Sequence, residues 1–322
     1  MAMNAITDIL NPIFTDKEQA RLHLESTRWP EGAVCPHCQS KNVRELNGKS
    51  HRAGLRQCNE KECRQQFTVT VGTVFERSKV PLNKWLLATH LMTSSKKGMS
   101  AHQIHRMLGV TYKTAWFMCH RIREAMVDDN PPPLGGKDKA VEADETYYGN
   151  KVGLKKKRAL KRTSTKGTKG GFGGTSNKYT VVSLVERGGN VRSFHVDRAT
   201  KSSVREILVR NVNRQSDLMT DESRLYVETG AEFNRHHTVN HRRGEYVRGK
   251  AYTNTLEGYY SIFKRGMVGT YQHCSETHLQ RYVTEFDFRY NGRKLNDNER
   301  RDEALRGIEG KRLTYRRTVK AA

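Results

Sequence analysis

Apolar residues recur at helical spacing in segments between residues 15 and 127, a cysteine-rich interval separating the first segment from the others, and give way to strand-like runs beyond. Thr15 and Glu18 stand in capping-box spacing at the head of TDKEQARLHLEST. Ala20 and Leu24 follow one turn apart, which predicts a short helix over 15–27. From Pro81, a second helix runs through Trp85, Leu86, Leu87, Ala88, Leu91 and Met92 to the turn Lys96-Lys97-Gly98. Ser100 and Gln103 form another capping box, with Ile104, Met107 and Leu108 as the apolar stripe. Gly109 breaks that helix before Thr111 opens the next, TYKTAWFMCHRIREAM. The short turn between the last two helices predicts a helix-turn-helix, with a plain three-helix packing module as the alternative.

The linker Asn130-Pro-Pro-Pro-Leu-Gly-Gly marks the change of period. KAVEADETYYG, the run 179–186 and the run 191–196 read as strands, the last two joined as a hairpin by Arg187-Gly-Gly-Asn. Next come a helix through Val204, Ile207 and Leu208, a strand ending at Asp221, a helix near Leu225 to Phe233, and the strand His237-Thr-Val-Asn. Three strands followed by alternating helix and strand predict an α/β domain with a mixed sheet. Two helices close it: NTLEGYYSIFKRG, and a segment from His278 whose stripe is Leu279, Tyr282, Val283 and Phe286, with Glu285 and Arg289 spaced to pair. The expected division is an N-terminal helix (1–28), a cysteine module (29–76), an all-α region (77–128), an α/β domain (138–295) and a basic tail (296–322) that is either a last helix or a frayed end.

Charge narrows the partners. Among 322 residues, 58 Lys and Arg face 34 Asp and Glu, a formal charge of +24. Such a surplus points to a polyanion, and nucleic acid is the commonest. No run approaches the roughly 20 apolar residues of a spanning helix, and MAMNAITDIL carries no secretory pattern, so neither membrane nor secretion is expected. The stretch Lys151 to Gly174 is free of acidic residues; Lys155, Lys156, Lys157 and Arg158 in it read either as a solvated loop or as a phosphate-binding arm. In the third helix Tyr112, Lys113, Arg121 and Arg123 are the candidates to meet DNA, with Trp116, Phe117 and Ile122 packing.

Two constellations carry chemistry. Cys35-Pro-His-Cys38 and Cys58-Asn-Glu-Lys-Glu-Cys63 form two close pairs that suit a tetrahedral structural Zn²⁺; reduced or disulfide-bonded thiols are the alternative. Cys119 and Cys274 fall outside this frame and read as buried free thiols. The second constellation is acidic. Asp144 lies in a strand, Asp221 ends one, and Glu257 lies on an amphipathic helix that presents Asn254, Ser261 and Lys264 on the same face. Two Mg²⁺ ions roughly 3.5–4 Å apart need shared carboxylates to serve phosphodiester chemistry, and Mn²⁺ can replace them. Glu142 shares the face of Asp144 by alternation and reads as a spare ligand, whereas Glu145 and Glu222 read as surface residues.

Taken together, RWPEGAVCPHC, CRQQFTVTVGTVFERSKVPLNKW, KTAWFMCHRIREAM, VEADETYYGNK and the run from NTLEGYYSIFKRG through GTYQH to HLQRYVTEFDFRYNGRK resemble the bacterial insertion-sequence DDE transposases with an N-terminal zinc ribbon. The resemblance covers nearly the whole chain. It implies a ribonuclease H-like fold in which Asp144, Asp221 and Glu257 hold the Mg²⁺ ions, with Asn254 sharing or taking the third place. It also implies that Lys264, beside Arg265, contacts DNA near the scissile phosphate, and that a cytoplasmic, nucleoid-associated homo-oligomer cuts element ends and joins them to target DNA. A nuclease or resolvase of the same fold and a non-enzymatic DNA-binding regulator are the competing classes.

Overall fold

The structure, a computed structural model, describes residues 10–48, 50–149, 178–240, 245, 247–249 and 251–314. Two compact units divide the chain. One takes in the described residues up to Asp129 together with those from Gly292 onward; the other is Asn130–Asn291.

In the first unit, helix α1 (Lys17–Arg28) buries Ala20 and Leu24. Its cap is Asp16, one residue later than the capping-box spacing predicts: Asp16 Oδ1 accepts from the amides of Glu18 and Gln19, both at 2.8 Å. A 3₁₀ turn over Pro12–Phe14 occupies the preceding residues, and Thr15 closes that turn instead of starting the helix. Strands β1 (Val43–Glu45), β2 (Arg56–Cys58) and β3 (Gln66–Phe67) form a small antiparallel sheet. Helices α2 (Leu82–Ser94), α3 (Ala101–Leu108) and α4 (Tyr112–Ala125) follow. Ser100 and Gln103 make the reciprocal capping box, and Gly109 ends α3 in the left-handed region at φ 59°.

The tail is ordered as helix α9 (Asp297–Arg306), capped by an Asn296–Glu299 box. It packs on α2, where Arg300 donates to the carbonyl of Thr93 at 2.9 Å, and reaches α1, where His23 Nε2 meets Asp302 at 2.9 Å. The described residues from Gly292 onward thus belong to the first unit, with Ala304 and Leu305 buried, where the sequence predicts a tail after the α/β domain.

The second unit is a five-stranded mixed sheet: β4 (Ala140–Tyr148), β5 (Tyr179–Glu186), β6 (Val191–Val196), β7 (Asp217–Asp221) and β8 (Arg235–Val239), in the order β6-β5-β4-β7-β8. The first three are antiparallel; β7 and β8 run parallel to β4. Alternation along the strands builds two cores. Val141, Ala143, Val182, Leu184 and Leu218 pack with Val204 and Leu208 of α5 (Lys201–Asn211) and with Tyr226. Tyr148, Val181 and Val185 pack on the other face with α7 (Asn254–Gly266) and α8 (Glu276–Asn291). That second face therefore carries Glu142 and Asp144 toward α7. Helix α6 (Val227–Gly230) is one turn, shorter than the predicted 225–233. Gly230 lets the backbone lie against the ring of His236, where a Cβ would meet Nδ1 at 2.1 Å, and the chain turns there into β8.

Candidate metal-binding and active sites

Cys35 and Cys38 sit on a turn before β1, Cys58 ends β2, and Cys63 lies on the turn after it. The two turns close alike. Gln39 N donates to Cys35 O at 2.9 Å and Arg64 N to Glu60 O at 3.1 Å, with Gln39 and Arg64 both at positive φ just after the second cysteine of each pair. Counted from that closure, Glu60 stands where Cys35 does, and the longer second spacing moves its first cysteine back onto the end of β2. The four sulfurs lie within 4.8 Å of one another, with Cys35 to Cys63 at 3.7 Å and Cys38 to Cys58 at 3.5 Å. Zn–S bonds of about 2.3 Å in a tetrahedron need sulfur edges of about 3.8 Å, so the frame fits Zn²⁺. Burial pushes the Cys58 thiol up to about 12, and a bound cation would favour its thiolate. Cys119 and Cys274 are buried and unbridged.

At the other site, the β4–β7 register pairs Ala140 with Asp217, Val141 with Leu218 and Glu142 with Met219. Carried forward, it sets Asp221 level with Asp144 on the neighbouring parallel strand and on the same face. Strand β4 continues to Tyr148 past the end of β7, leaving this level open at the sheet's end. Asp144 Oδ1 accepts from the Glu145 amide at 2.8 Å, and Asp221 Oδ1 from the Ser223 amide at 2.9 Å. Burial, then the negative charges of Glu145 and Asp221 and more weakly of Glu257, holds the Asp144 carboxyl well above the usual carboxylate range. Glu257 is exposed on α7, as are Asn254, Lys264 and Arg265, while Leu256, Tyr259, Tyr260 and Phe263 pack inward. Four carboxylates thus act on one another, a field that a divalent cation would relieve. Among the described residues, no group of three or more ligands besides the cysteines closes to within 4.8 Å.

Residues 133–291 match the model of the ISXO2-like transposase domain, and residues 15–66 that of the transposase zinc-ribbon domain. The chain is 31% identical over 282 residues to an uncharacterized protein in the transposable element ISH50 of Halobacterium salinarum, covering 86% of this chain and 91% of that one. The chain belongs to the ISXO2-like transposase family. Among solved structures, it is similar at 14% identity to a chain in the cryo-EM structure of the simian T-cell lymphotropic virus intasome with PP2A regulatory subunit B56 gamma. That match covers 64% of this chain and 63% of that one, just under two thirds, with a TM-score of 0.23.

The remaining site residues of this transposase divide by burial. Tyr112 is 44% exposed, its ring stacked on His102 at 4.2 Å, and Lys113 is exposed beside it. Arg121 and Arg123 do not join them. They are only 7% and 2% exposed, and Arg121 donates to the carbonyl of Glu76 at 2.7 Å across the rings of Trp85 and Phe117. Helix α4 is buried on most sides in its second half, so these guanidiniums serve packing and not a groove. Lys155, Lys156, Lys157 and Arg158 lie outside the described residues. No helix among the described residues is long and apolar enough to cross a membrane.

Two acids depart from their sequence reading. Glu145 is half-buried and accepts from the phenol of Tyr226 at 2.7 Å, so it is not a surface residue; burial raises its carboxyl against that hydrogen bond, and Asp221 raises it further. Glu142 is fully buried and is no spare ligand, because its carboxylate is taken up by donors of Arg187, Thr255 and Leu256. Alternation gives the face of a residue but not the partner waiting there.

Proposed function

We propose that this transposase binds the ends of its own element and carries out Mg²⁺-dependent cleavage and strand transfer at Asp144, Asp221 and Glu257. The observation that supports this reading most is the level pairing of Asp144 and Asp221 on adjacent parallel strands, with the charge of Glu257 reaching Asp144. Such ions, when bound, activate the attacking oxygen and stabilise the leaving one. The chain's own part is to hold the carboxylates and the DNA. Asp144 and Asp221 project from a rigid sheet and Glu257 from the facing helix; Asn254, one turn before Glu257, stands ready for the third place. Lys264 and Arg265 near the end of α7 offer cations to phosphate, and Tyr112 and Lys113 at the start of α4 meet the duplex. Water attacks first and frees a 3′-hydroxyl, which then attacks target DNA at the same site. A homo-oligomer holds the paired ends.

The test is labelled duplex carrying the element's ends, incubated with Mg²⁺ and either the intact protein or Asp144→Asn, Asp221→Asn, Glu257→Gln and Asn254→Ala. Joined products lost in all three carboxylate variants support the reading, and the fourth variant shows whether Asn254 shares the third place. Cleavage without joining makes the protein a nuclease, and tight end binding without chemistry makes it a regulator.

A further inference from the structure

Glu142 is two residues before Asp144 on the same face of β4, and its carboxylate has no exposure to solvent. Burying a charge this deeply is costly unless donors satisfy it, and here they do so completely. Oε1 accepts from Arg187 Nε at 2.8 Å and from the Thr255 hydroxyl at 2.9 Å; Oε2 accepts from the Thr255 amide at 3.0 Å and the Leu256 amide at 3.1 Å. Those two amides belong to the first turn of α7, where helix donors lack partners within the helix and the helix dipole favours an anion. No side chain of α7's own cap fills this role. Arg187 extends the same hub: its Nη2 donates to the carbonyl of Tyr252 at 2.7 Å and its guanidinium lies 3.4 Å over the Tyr252 ring.

We propose that Glu142, held by Arg187, is a positioning residue that fixes the first turn of α7 and so sets Asn254 and Glu257 against Asp144. Glu142 lies two residues before Asp144 on one face of β4, and the amides it accepts from, those of Thr255 and Leu256, lie in the same first turn of α7 that carries Asn254 and Glu257, so the contact ties that turn to the strand that bears Asp144. Four donors leave Glu142 no lone pair for a cation, which separates its role from that of its neighbour. The proposal rests on the Mg²⁺-dependent reading above.

The test uses the full chain with Glu142→Gln, which keeps the volume but loses the charge and turns a donor toward Arg187 and Thr255. Three quantities are measured: hydrogen exchange at the Thr255 and Leu256 amides, metal-free binding of an end duplex, and the Mg²⁺ concentration giving half-maximal cleavage. The expected result is exchange at least about tenfold faster at those two amides, duplex binding within about twofold, and a half-maximal Mg²⁺ concentration at least about fivefold higher. Should Glu142→Gln fail to fold, Thr255→Val, which removes one donor and keeps both amides, carries the comparison with the same direction of change. Unchanged Mg²⁺ dependence overturns the proposal, as does a changed Mg²⁺ dependence with unchanged amide exchange, which would mean that Glu142 acts at the metal directly. A wild-type protein without Mg²⁺-dependent chemistry overturns the enzymatic reading and this proposal together; an active wild type with an unshifted variant overturns this proposal alone.

Discussion

Tyr260 donates its hydroxyl to the backbone carbonyl of Asp144 at 2.6 Å, from a ring that is almost wholly buried between α7 and the sheet. Helix and strand are therefore tied at the very residue whose carboxylate the site depends on. Tyr260→Phe removes this bond without changing the ring. We expect a loss of about 1 kcal/mol, since a buried carbonyl loses its donor, and a fall of about 2–4 °C in melting temperature. End cleavage should slow in parallel. A melting curve and cleavage rate equal to those of the parent protein would show that the contact carries no load.

Asp144 itself should destabilise the metal-free fold. Its folded pKa lies well above the ordinary value near 3.8, so the folded state holds the proton more tightly than the unfolded one, and stability falls as pH rises through the interval between them. Asp144→Asn removes the charge and should raise the melting temperature at neutral pH without divalent ions. Mg²⁺ should raise that of the parent protein and leave the variant unmoved. Scanning calorimetry of both proteins, with and without Mg²⁺, checks this; a variant that melts lower in metal-free buffer would contradict it.

A second buried acid titrates in an accessible window. Asp287 on α8 accepts from the Ser193 amide at 2.7 Å, the Ser193 hydroxyl at 2.8 Å and the Tyr259 phenol at 2.5 Å, and burial outweighs these bonds to push its carboxyl up to about 6. Its ionisation should cost stability as pH climbs from its ordinary value of 3.8 to about 6, with little further change above. Carboxyl carbon NMR should show a midpoint close to 6. Asp287→Asn, with one carbonyl oxygen in place of two acceptors, should lose about 1–3 kcal/mol at pH 7. An NMR midpoint near 4 would sink this account of α8.

The cysteine frame should bind one zinc and depend on it. Chelation, or Cys58→Ser, is expected to expose residues 29–76 to protease while the α/β domain keeps its strand signal, because so small a sheet has little core of its own. Metal analysis combined with limited proteolysis distinguishes the outcomes. A ribbon that resists protease after the metal is gone would refute the structural role.

Much of the fold was legible because its signals are local. Alternation placed β4, the Arg187-Gly-Gly-Asn turn placed the β5–β6 hairpin, and the stripe Leu279, Tyr282, Val283 and Phe286 placed α8, all four of them buried. Asp144 and Asp221 could be singled out because each stands at a strand position with no apolar reason to be there. What the sequence withheld depends on partners distant in the chain. Glu142 and Glu145 both left their expected roles, because one meets the start of a helix more than a hundred residues away and the other the phenol of Tyr226. Arg121 and Arg123 looked like a basic face, yet the rings of Trp85 and Phe117 draw the first of them inward. Asn296 and Glu299 did carry a capping signal for α9, but nothing in that stretch shows that it returns to pack on α2.

In the proposed reaction, Asp144, Asp221 and Glu257 jointly hold divalent cations. Anomalous diffraction from Mn²⁺ in crystals of the protein bound to an end duplex tests it most directly. Anomalous density is expected between the carboxylates of Asp144 and Asp221, with Glu257 or Asn254 beside it and Glu142 still bonded to Thr255. Mn²⁺ density found only away from these carboxylates, with the duplex in place, would contradict it.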